Sequence, residues 1–383
     1  MTQSGHPALI SQARHGVSCT SATTIIKIPL AAICQSWDNP GAYTRFVIVD
    51  HVGKLIVVSI SQPGDLPRAV VVAATCLVSL SNTSNSAEFG ASPCPKGFRD
   101  IYAGVVPTVP GLYVLNDVYH YDGSANALVF NGAAQLGVEA KFTADFLPLT
   151  YVTKCKILGG TYAFGVTPAI MSMNVDVGLT VPSFTGPLGR HFGPFSITFG
   201  DTETNIGDTG ITPITLGWHS GNFYWNAGLC IFAPTGKYDK RDLANTSLNH
   251  WAVIPTFAIT YFDAKANWQV SGAFAYAVNF ENPETDYTSG DLFHFDGSIT
   301  KNFGPLGVGA VAYSMIQTTP DSGAGARFGP NEARVYGAGP IVTYTLGSNP
   351  VTALTLIGKW YHEFGAENAL EGDTVVASAS FKF

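Results

Sequence analysis

Charged residues are scarce in this chain of 383 residues: they make up 12% of it, about half the share of an average globular protein, and the formal net charge is −7. Basic stripes are also missing, so the sequence predicts no nucleic-acid partner. Long apolar runs are lacking as well, because no stretch reaches the length of about 18 apolar residues that a membrane-spanning helix needs. The sequence therefore predicts neither a nucleic-acid-binding protein nor a helical membrane protein.

Clustered metal-binding residues are the next absence. Only three cysteines, Cys94, Cys155 and Cys230, follow residue 88, and none of them belongs to a CxxC motif or a Cys/His cluster. Such a sparse and odd count argues against a disulfide framework and against a zinc site. The acidic stretches DTETNIGDTG and NPETDYTSGD lack the spacing of an EF-hand. We therefore predict no metal and no cofactor.

What the sequence has instead is alternation with a period of two, the pattern of a β-strand. In LFHFDGSITKNF, Phe293 and Phe295 alternate with the polar residues His294, Asp296 and Ser298. Similar segments recur to the end of the chain with about 11–14 residues each, whereas strands of soluble sheets usually have about five or six. That length suits a tilted strand that crosses a bilayer.

Twelve such segments follow one another, and short turns alternate with long, often glycine-rich loops between them. The predicted strands lie near residues 111–121, 134–149, 157–181, 206–219, 222–234, 251–263, 267–280, 290–303, 306–317, 332–346, 351–363 and 373–383. An even strand count with short turns opposite long loops is typical of bacterial outer-membrane barrels. The predicted fold class is therefore all-β, a transmembrane antiparallel up-and-down β-barrel of about 12 strands in the bacterial outer membrane. A soluble β-sandwich is the alternative.

The part of the chain before the barrel contains a second pattern. Arg68, the apolar segment 69–80 and the small polar residues up to Ala87 resemble a secretory signal peptide. Because signal peptides begin chains, the residues before it are predicted to stem from a misplaced start. The predicted regions are an upstream extension (1–51), a signal peptide (52–87), a periplasmic or plug segment rich in proline and glycine (88–110) and the barrel (111–383).

Polar residues on the inward faces of the best-defined strands are predicted to line the interior of the barrel. These candidates are Thr256, Thr260, Asn267, Gln269, Ser271, His294, Asp296, Ser298 and Thr300. Most of them are small or uncharged, which suits a passage for small solutes. His294, Asp296 and Ser298 share a face, but residues two apart stand about 7 Å apart along a strand, too far for the hydrogen bonds of a catalytic triad. We therefore predict no enzymatic activity; a lipid-hydrolysing barrel enzyme stays as an alternative.

The last predicted strand, DTVVASASFKF, ends on aromatic residues at alternate positions. Phe381 and Phe383 are predicted to face lipid at the periplasmic rim, and this strand is predicted to close the barrel against the strand near residues 111–121. A C-terminal Phe on an alternating strand resembles the signal that the outer-membrane insertion machinery reads. The predicted partners are therefore outer-membrane lipid and this machinery.

Several motifs occur in an order that resembles one protein family. They are GLYVLNDVYHY, YVTKCKILGGTYAFGVTPAI, IGDTGITPITLGWHSGN, FAPTGKYD, NFENPETDYTSGDLFHFDGSITKNFG and GVGAVAYSMIQTTPDSGAGA. Together they resemble the outer-membrane protein family named for the meta-pathway of phenol degradation, over residues 88–383. The resemblance implies passive transport of small hydrophobic or aromatic compounds, linked to their catabolism, and it supplies no catalytic residues. A structural or adhesive surface barrel is the alternative function.

Overall fold

The structure, a computed structural model, describes residues 24–27, 44–49, 55–60, 91–129, 134–185, 191–326, 332–347 and 353–382. Three short strands lie before the predicted barrel: β1 (Thr24–Lys27), β2 (Thr44–Val49) and β3 (Leu55–Ile60). The strands that follow are β4 (Gly111–Val129), β5 (Ala134–Phe146), β6 (Leu149–Ile157), β7 (Gly160–Thr167), β8 (Ala169–Val181), β9 (Phe184–Thr185), β10 (His191–Phe192), β11 (Phe195–Ile206), β12 (Thr209–Ser220), β13 (Phe223–Ala233), β14 (Ala252–Asp263), β15 (Trp268–Asn279), β16 (Leu292–Phe303), β17 (Leu306–Gln317), β18 (Arg334–Leu346), β19 (Leu354–Glu367) and β20 (Glu371–Lys382).

Twelve antiparallel strands form a closed barrel. β4 is the first of them, and the next three are composite: β5 continues into β6, β7 into β8 and β11 into β12. β13–β20 supply the remaining strands. β20 pairs with β4 from Glu371 opposite Ser124 to Lys382 opposite Tyr113, which closes the wall and leaves neither strand as an open edge. The predicted fold class and the predicted closing pair are therefore confirmed.

The alternation in the sequence gives each wall strand an outer and an inner face. On the outer face, the side chains of Phe257 and Ile299 are 44% and 45% exposed, as expected for residues that contact lipid. Their neighbours Ala258 and Thr300 point into the barrel and are 0% and 1% exposed. The period of two therefore places the apolar belt and the buried interior face on opposite sides of the same strands.

Three consecutive wall strands are kinked. Pro148 and Pro168 interrupt the first two, because proline has no N–H to donate to the ladder, and Gly207 and Asp208 interrupt the third. Beyond the kinks, β8 pairs with β5 on one side and with β11 on the other, and β5 pairs with residues 117–129 of β4. These four segments form a sheet that extends beyond the ends of the shorter strands.

This extension makes several predicted boundaries wrong. The long loop expected near residues 183–205 is largely strand, since β11 occupies Phe195–Ile206. The strand expected to end near residue 149 continues as β6 to Ile157, and the next strand begins at Gly160 rather than near residue 157. A strand that has left the bilayer carries no continuous apolar face, so the sequence TFGDTETNI of β11 resembled a loop.

The connections are short at one end of the barrel and mostly long at the other. The short-turn end carries residues 158–159, 221–222, 264–267, 304–305 and 347–353, and the long-loop end carries 182–194, 234–251, 280–291 and 318–333. Two connections at the long-loop end, 130–133 and 368–370, are short because β4, β19 and β20 extend further toward this end than predicted. The alternation of turns and loops agrees with the sequence prediction.

The short strands before the barrel pair with one another, and β3 pairs with β11. Most of the predicted upstream extension and signal peptide, including the apolar segment 69–80, lies outside the described residues. Among the residues that are described, no helix is both long and apolar enough to span a membrane.

Candidate functional site

Residues 91–110, called the interior segment below, run inside the barrel from the long-loop end to the short-turn end. Ser92 contacts His294 near the start of β16, with 2.9 Å between Oγ and Nε2. Tyr102 packs against Phe262 near the end of β14, with 6.1 Å between the ring centroids. The chain then enters the wall at Gly111. The interior segment covers nearly all of the region predicted from sequence at 88–110.

Asp296 on β16 is the first anchor of the interior segment. Its Oδ1 accepts the N–H of Gly97 at 3.1 Å, and its Oδ2 accepts the N–H of Arg99 at 3.0 Å. Hydrogen bonds to a carboxylate are about twice as strong as those between neutral groups. At the next inward position of the strand, the Ser298 hydroxyl donates to the carbonyl of Asp100 at 2.8 Å. β16 therefore holds the backbone of the segment from residue 97 to residue 100.

Asp100 itself forms the second anchor. Lys359 on β19 places its Nζ 3.1 Å from Asp100 Oδ1 and donates to the carbonyl of Gly97 at 2.8 Å. The Tyr361 hydroxyl donates to the other carboxylate oxygen of Asp100. The Lys359 and Asp100 side chains are 4% and 1% exposed, so each charge is compensated by the other rather than by water.

Glu363, also on β19, forms the third anchor. It accepts the Lys96 ammonium from the segment, the hydroxyl of Tyr313 at 2.8 Å, the hydroxyl of Tyr121 at 2.9 Å and the N–H of Gly372 at 2.9 Å. The Lys96 ammonium also lies 4.6 Å from the centroid of the Tyr121 ring, a cation–π contact. This fully buried carboxylate has hydrogen-bond donors on both oxygens.

The part of the interior segment nearer the short-turn end is held by uncharged groups. Thr260 Oγ1 accepts the N–H of Gly104 at 2.9 Å and lies 2.6 Å from Ser271 Oγ. The Asn226 amide donates to the carbonyl of Ala103 at 2.6 Å. The segment is therefore bound by discrete polar contacts along its length.

Two glycines let the segment lie directly against the wall. Gly97 has a φ of +69°, and a Cβ added there would lie 2.6 Å from the ring of Tyr361. A Cβ on Gly104 would lie 2.5 Å from the backbone nitrogen of Thr260 and the carbonyl oxygen of Tyr224. Both positions therefore require glycine for the observed approach.

Of the wall residues predicted from sequence, all but one lie on the inner face. They are Thr256, Thr260, Gln269, Ser271, His294, Asp296, Ser298 and Thr300. Thr260, His294, Asp296 and Ser298 contact the interior segment, as described above. Gln269 accepts a hydrogen bond from Thr300 at 2.9 Å and contacts Ser271. Inward polar residues therefore form hydrogen bonds both to the interior segment and to one another.

Asn267 is a correction, because it does not line the interior. It lies exposed in the turn before β15, which begins at Trp268. Its φ is +55°, a left-handed conformation that asparagine tolerates, and its carbonyl accepts the N–H of Asn302 at 2.9 Å. The prediction extended the alternating pattern one residue too far toward the N-terminus, because the strand begins at Trp268.

His294, Asp296 and Ser298, the candidates for a catalytic set, each bind a different residue of the interior segment. His294 contacts Ser92, Asp296 holds two backbone N–H groups, and Ser298 donates to a carbonyl. In the part of the chain that the structure describes, no three His, Cys, Asp or Glu side chains are arranged to hold a metal ion.

The second and third anchors were not predicted from the sequence, although a signal for them was present. In LTLIGKWYHEFGAE, Lys359, Tyr361 and Glu363 alternate with Trp360, a residue type that favours the interface between membrane and water. An outward Trp360 places its neighbours on the inner face, and two of those neighbours carry charge. The pairing of these charges with Lys96 and Asp100 spans more than 250 positions of the chain and could not be read from the pattern.

At the long-loop end of the barrel, the loop of residues 234–251 packs beside the sheet that β4, β5, β8 and β11 form beyond the kinks. Asp208 accepts the N–H of Gly236 at 2.9 Å on Oδ1 and that of Leu248 at 2.7 Å on Oδ2, which binds both ends of the loop. Burial raises the pKa of Asp208 above its usual value, although the hydrogen bonds from Leu248 and Gly236 act in the opposite direction. Leu243 packs near Val175 in a small apolar cluster of the extension.

At the other end of the barrel, Phe381 lies on β20 opposite Val114 and is partly exposed. Phe383, the second half of the predicted assembly signal, lies outside the described residues. The assembly role therefore stays a prediction.

A closed wall of twelve strands with an apolar outer face defines a bacterial outer-membrane barrel, and the predicted location in the bacterial outer membrane agrees with this fold. The chain is similar to the COG4313 outer membrane channel from Pseudomonas putida F1, with 12% identity, a TM-score of 0.50 and coverage of 76% of this chain and 100% of that one. It is also similar to a FadL homologue from Pseudomonas aeruginosa, with 10% identity, a TM-score of 0.38 and coverage of 79% of this chain and 98% of that one.

Residues 121–379 match the family described as "Putative MetA-pathway of phenol degradation", and the chain belongs to this family. The resemblance drawn from the motifs is therefore confirmed. None of the curated proteins compared with the chain matches it.

Proposed function

We propose that this protein is an outer-membrane channel through which small hydrophobic or aromatic compounds diffuse down their gradient. The observation that carries the proposal is the content of the barrel: its interior holds a separate segment, which is bound to the wall by discrete polar contacts and packs against apolar clusters of inward wall side chains. A segment attached at discrete points can leave them, and its departure would open a passage through the barrel. Twelve strands enclose more space than the side-chain-filled interior of about eight strands.

The comparisons support the transport part and the solute class. The similar structure from Pseudomonas putida is titled an outer membrane channel, and the family description names phenol degradation. We propose no enzymatic activity, since His294, Asp296 and Ser298 bind the interior segment. The proposed partners are outer-membrane lipid on the apolar belt, the machinery that inserts barrels, and the solute itself.

A structural or adhesive surface barrel is the second candidate, and the three buried carboxylate anchors favour it. Asp296, Asp100 and Glu363 hold the interior segment by contacts that are shielded from water. If the segment never leaves them, the wall supports the loops at the long-loop end and conducts nothing.

Conductance separates the two. The purified barrel is inserted into planar bilayers and compared with Asp296→Ala, which loses the hydrogen bonds to Gly97 and Arg99. If the protein is a channel, we expect unitary currents from the wild-type protein and a larger fraction of time in the open state for Asp296→Ala. Uptake of dilute phenol by cells with and without the protein then tests the solute class. Silent bilayers for both proteins, with correctly folded barrels on gels, would favour the structural candidate.

A further inference from the structure

Two cysteines lie on opposite partners of the contact between the interior segment and the wall. Cys94 belongs to the segment, and Cys230 lies on β13, where even-numbered residues face inward. Both pack against the same buried apolar cluster, which includes Ala252, Ile254 and Leu292. The third described cysteine, Cys155, is exposed near the short-turn end. All three are free thiols in the structure.

The two sulfurs also share an electrostatic environment. Cys94, Cys230 and the guanidinium of Arg99 are close enough to influence one another. Arg99 is in turn fixed through its backbone N–H to Asp296. Since both thiols are mostly shielded from water, an oxidant in solution reaches them slowly in the folded barrel, so a bond between them would form before the barrel closes.

The position of Cys94 gives such a bond a mechanical consequence. The anchors at Asp296, Asp100 and Glu363 hold residues 96–100, whereas the side-chain contact described for the start of the segment is the single one between Ser92 and His294. A covalent link at residue 94 would fix that end of the segment to β13.

We propose that Cys94 and Cys230 form a disulfide that fastens the interior segment to the barrel wall in the oxidising compartment through which the chain is exported. Two thiols lose two protons and two electrons as the S–S bond forms, and the disulfide of a periplasmic thiol oxidase is reduced to two thiols. This inference stands apart from the proposed transport, because the bond is detected whether or not the barrel conducts.

Peptide mapping tests the bond directly. Cells that express the full chain are denatured in N-ethylmaleimide, and the barrel is digested without reduction and analysed by mass spectrometry. The expected result is a linked pair of peptides that contain Cys94 and Cys230, with Cys155 alkylated. Alkylation of both Cys94 and Cys230 would overturn the proposal.

Two variants serve as controls. Cys94→Ser should leave Cys230 alkylated while the barrel still shows its folded mobility on gels, and Cys155→Ser should keep the linked pair. The mechanical role has its own readout in trypsin cleavage after Lys96 and Arg99 in membranes. Cleavage should become faster on reduction in the wild-type protein and in Cys155→Ser but not in Cys94→Ser. An unchanged rate in all three would contradict the role of the bond in fastening the segment.

Discussion

The Lys96 ammonium and the Glu363 carboxylate form a buried ion pair that joins the interior segment to the barrel wall. The Glu363 side chain is fully buried and the Lys96 side chain is 18% exposed, so water compensates neither charge fully. The hydroxyls of Tyr121 and Tyr313 also donate hydrogen bonds to the Glu363 carboxylate. Removal of one partner from a pair of this kind leaves a buried charge without its counterion.

Glu363→Gln is therefore expected to destabilise the barrel by about 3–5 kcal/mol, the usual effect of breaking a buried pair from one side. The measurement is the temperature at which the folded form disappears on a heat-modifiability gel. Glu367→Gln is the matched control on the same strand, since it removes an exposed pair with Arg334 that contributes at most about 1 kcal/mol. Equal shifts for the two variants would contradict a structural role for the buried pair.

Gly97→Ala is expected to displace the interior segment, because the new Cβ meets the ring of Tyr361. Gly159→Ala is its control: Gly159 has a similar φ of +75°, but nothing lies within 4 Å of the added Cβ. Both variants carry the strain of a left-handed alanine, about 1–2 kcal/mol, so their difference reports the contact. Only Gly97→Ala should speed trypsin cleavage after Arg99; equally fast cleavage in both variants would mean that strain alone loosens the chain.

Asp208→Ala is expected to release the loop of residues 234–251. It leaves the N–H groups of Gly236 and Leu248 without their acceptor, at about 1–3 kcal/mol for each group. Trypsin cleavage after Arg241 in the folded barrel measures the release. Asp122→Ala removes a carboxylate from an exposed pair with Lys141 and should leave the loop protected. A loop that stays protected in Asp208→Ala would show that other contacts hold it.

Deletion of Phe383 is expected to reduce the amount of assembled barrel without changing the conductance of the barrels that do assemble, because the residue is proposed to act in insertion. Phe381→Ala, on the outer face of the same strand, should add to the loss. Phe303→Ala removes a rim aromatic of 59% exposure on another strand and is the control. The measurement is the proportion of folded barrel on gels of isolated outer membranes. An unchanged proportion after the deletion would contradict a role of Phe383 in insertion.

The fold was predictable because the wall obeys a local rule. Phe293, Phe295 and Ile299 alternate with His294 and Asp296, and a period of two gives both the strand and the side it shows to lipid. Turn and loop lengths then gave the strand count. The rule failed in β11, where Phe195, Ile197 and Phe199 alternate over the first half only and threonines and acidic residues follow, so the apolar face was too short to identify the strand.

Only the wall residues of the site were predictable from the sequence. The inward positions of β16 followed from alternation, as did those of Thr260 and Gln269 on neighbouring strands. Their partners did not follow, because Asp296 and Gly97 are 199 positions apart in the chain. The sequence left the region 88–110 open between a leader and a plug, since proline- and glycine-rich backbone carries no period that indicates what it binds.

The closing pair between β20 and β4 has a consequence for the order of events in assembly. The interior segment starts near the long-loop end, descends through the barrel and joins the wall as β4, the very strand on which β20 docks. If β20 docked first, Lys96 and Asp100 would have to be threaded through a finished ring. If the segment is placed first, these charges meet Glu363 and Lys359 while the ring still has a gap. The last strand of the chain would then seal a barrel whose contents are already installed, so a defect in the segment would delay closure itself.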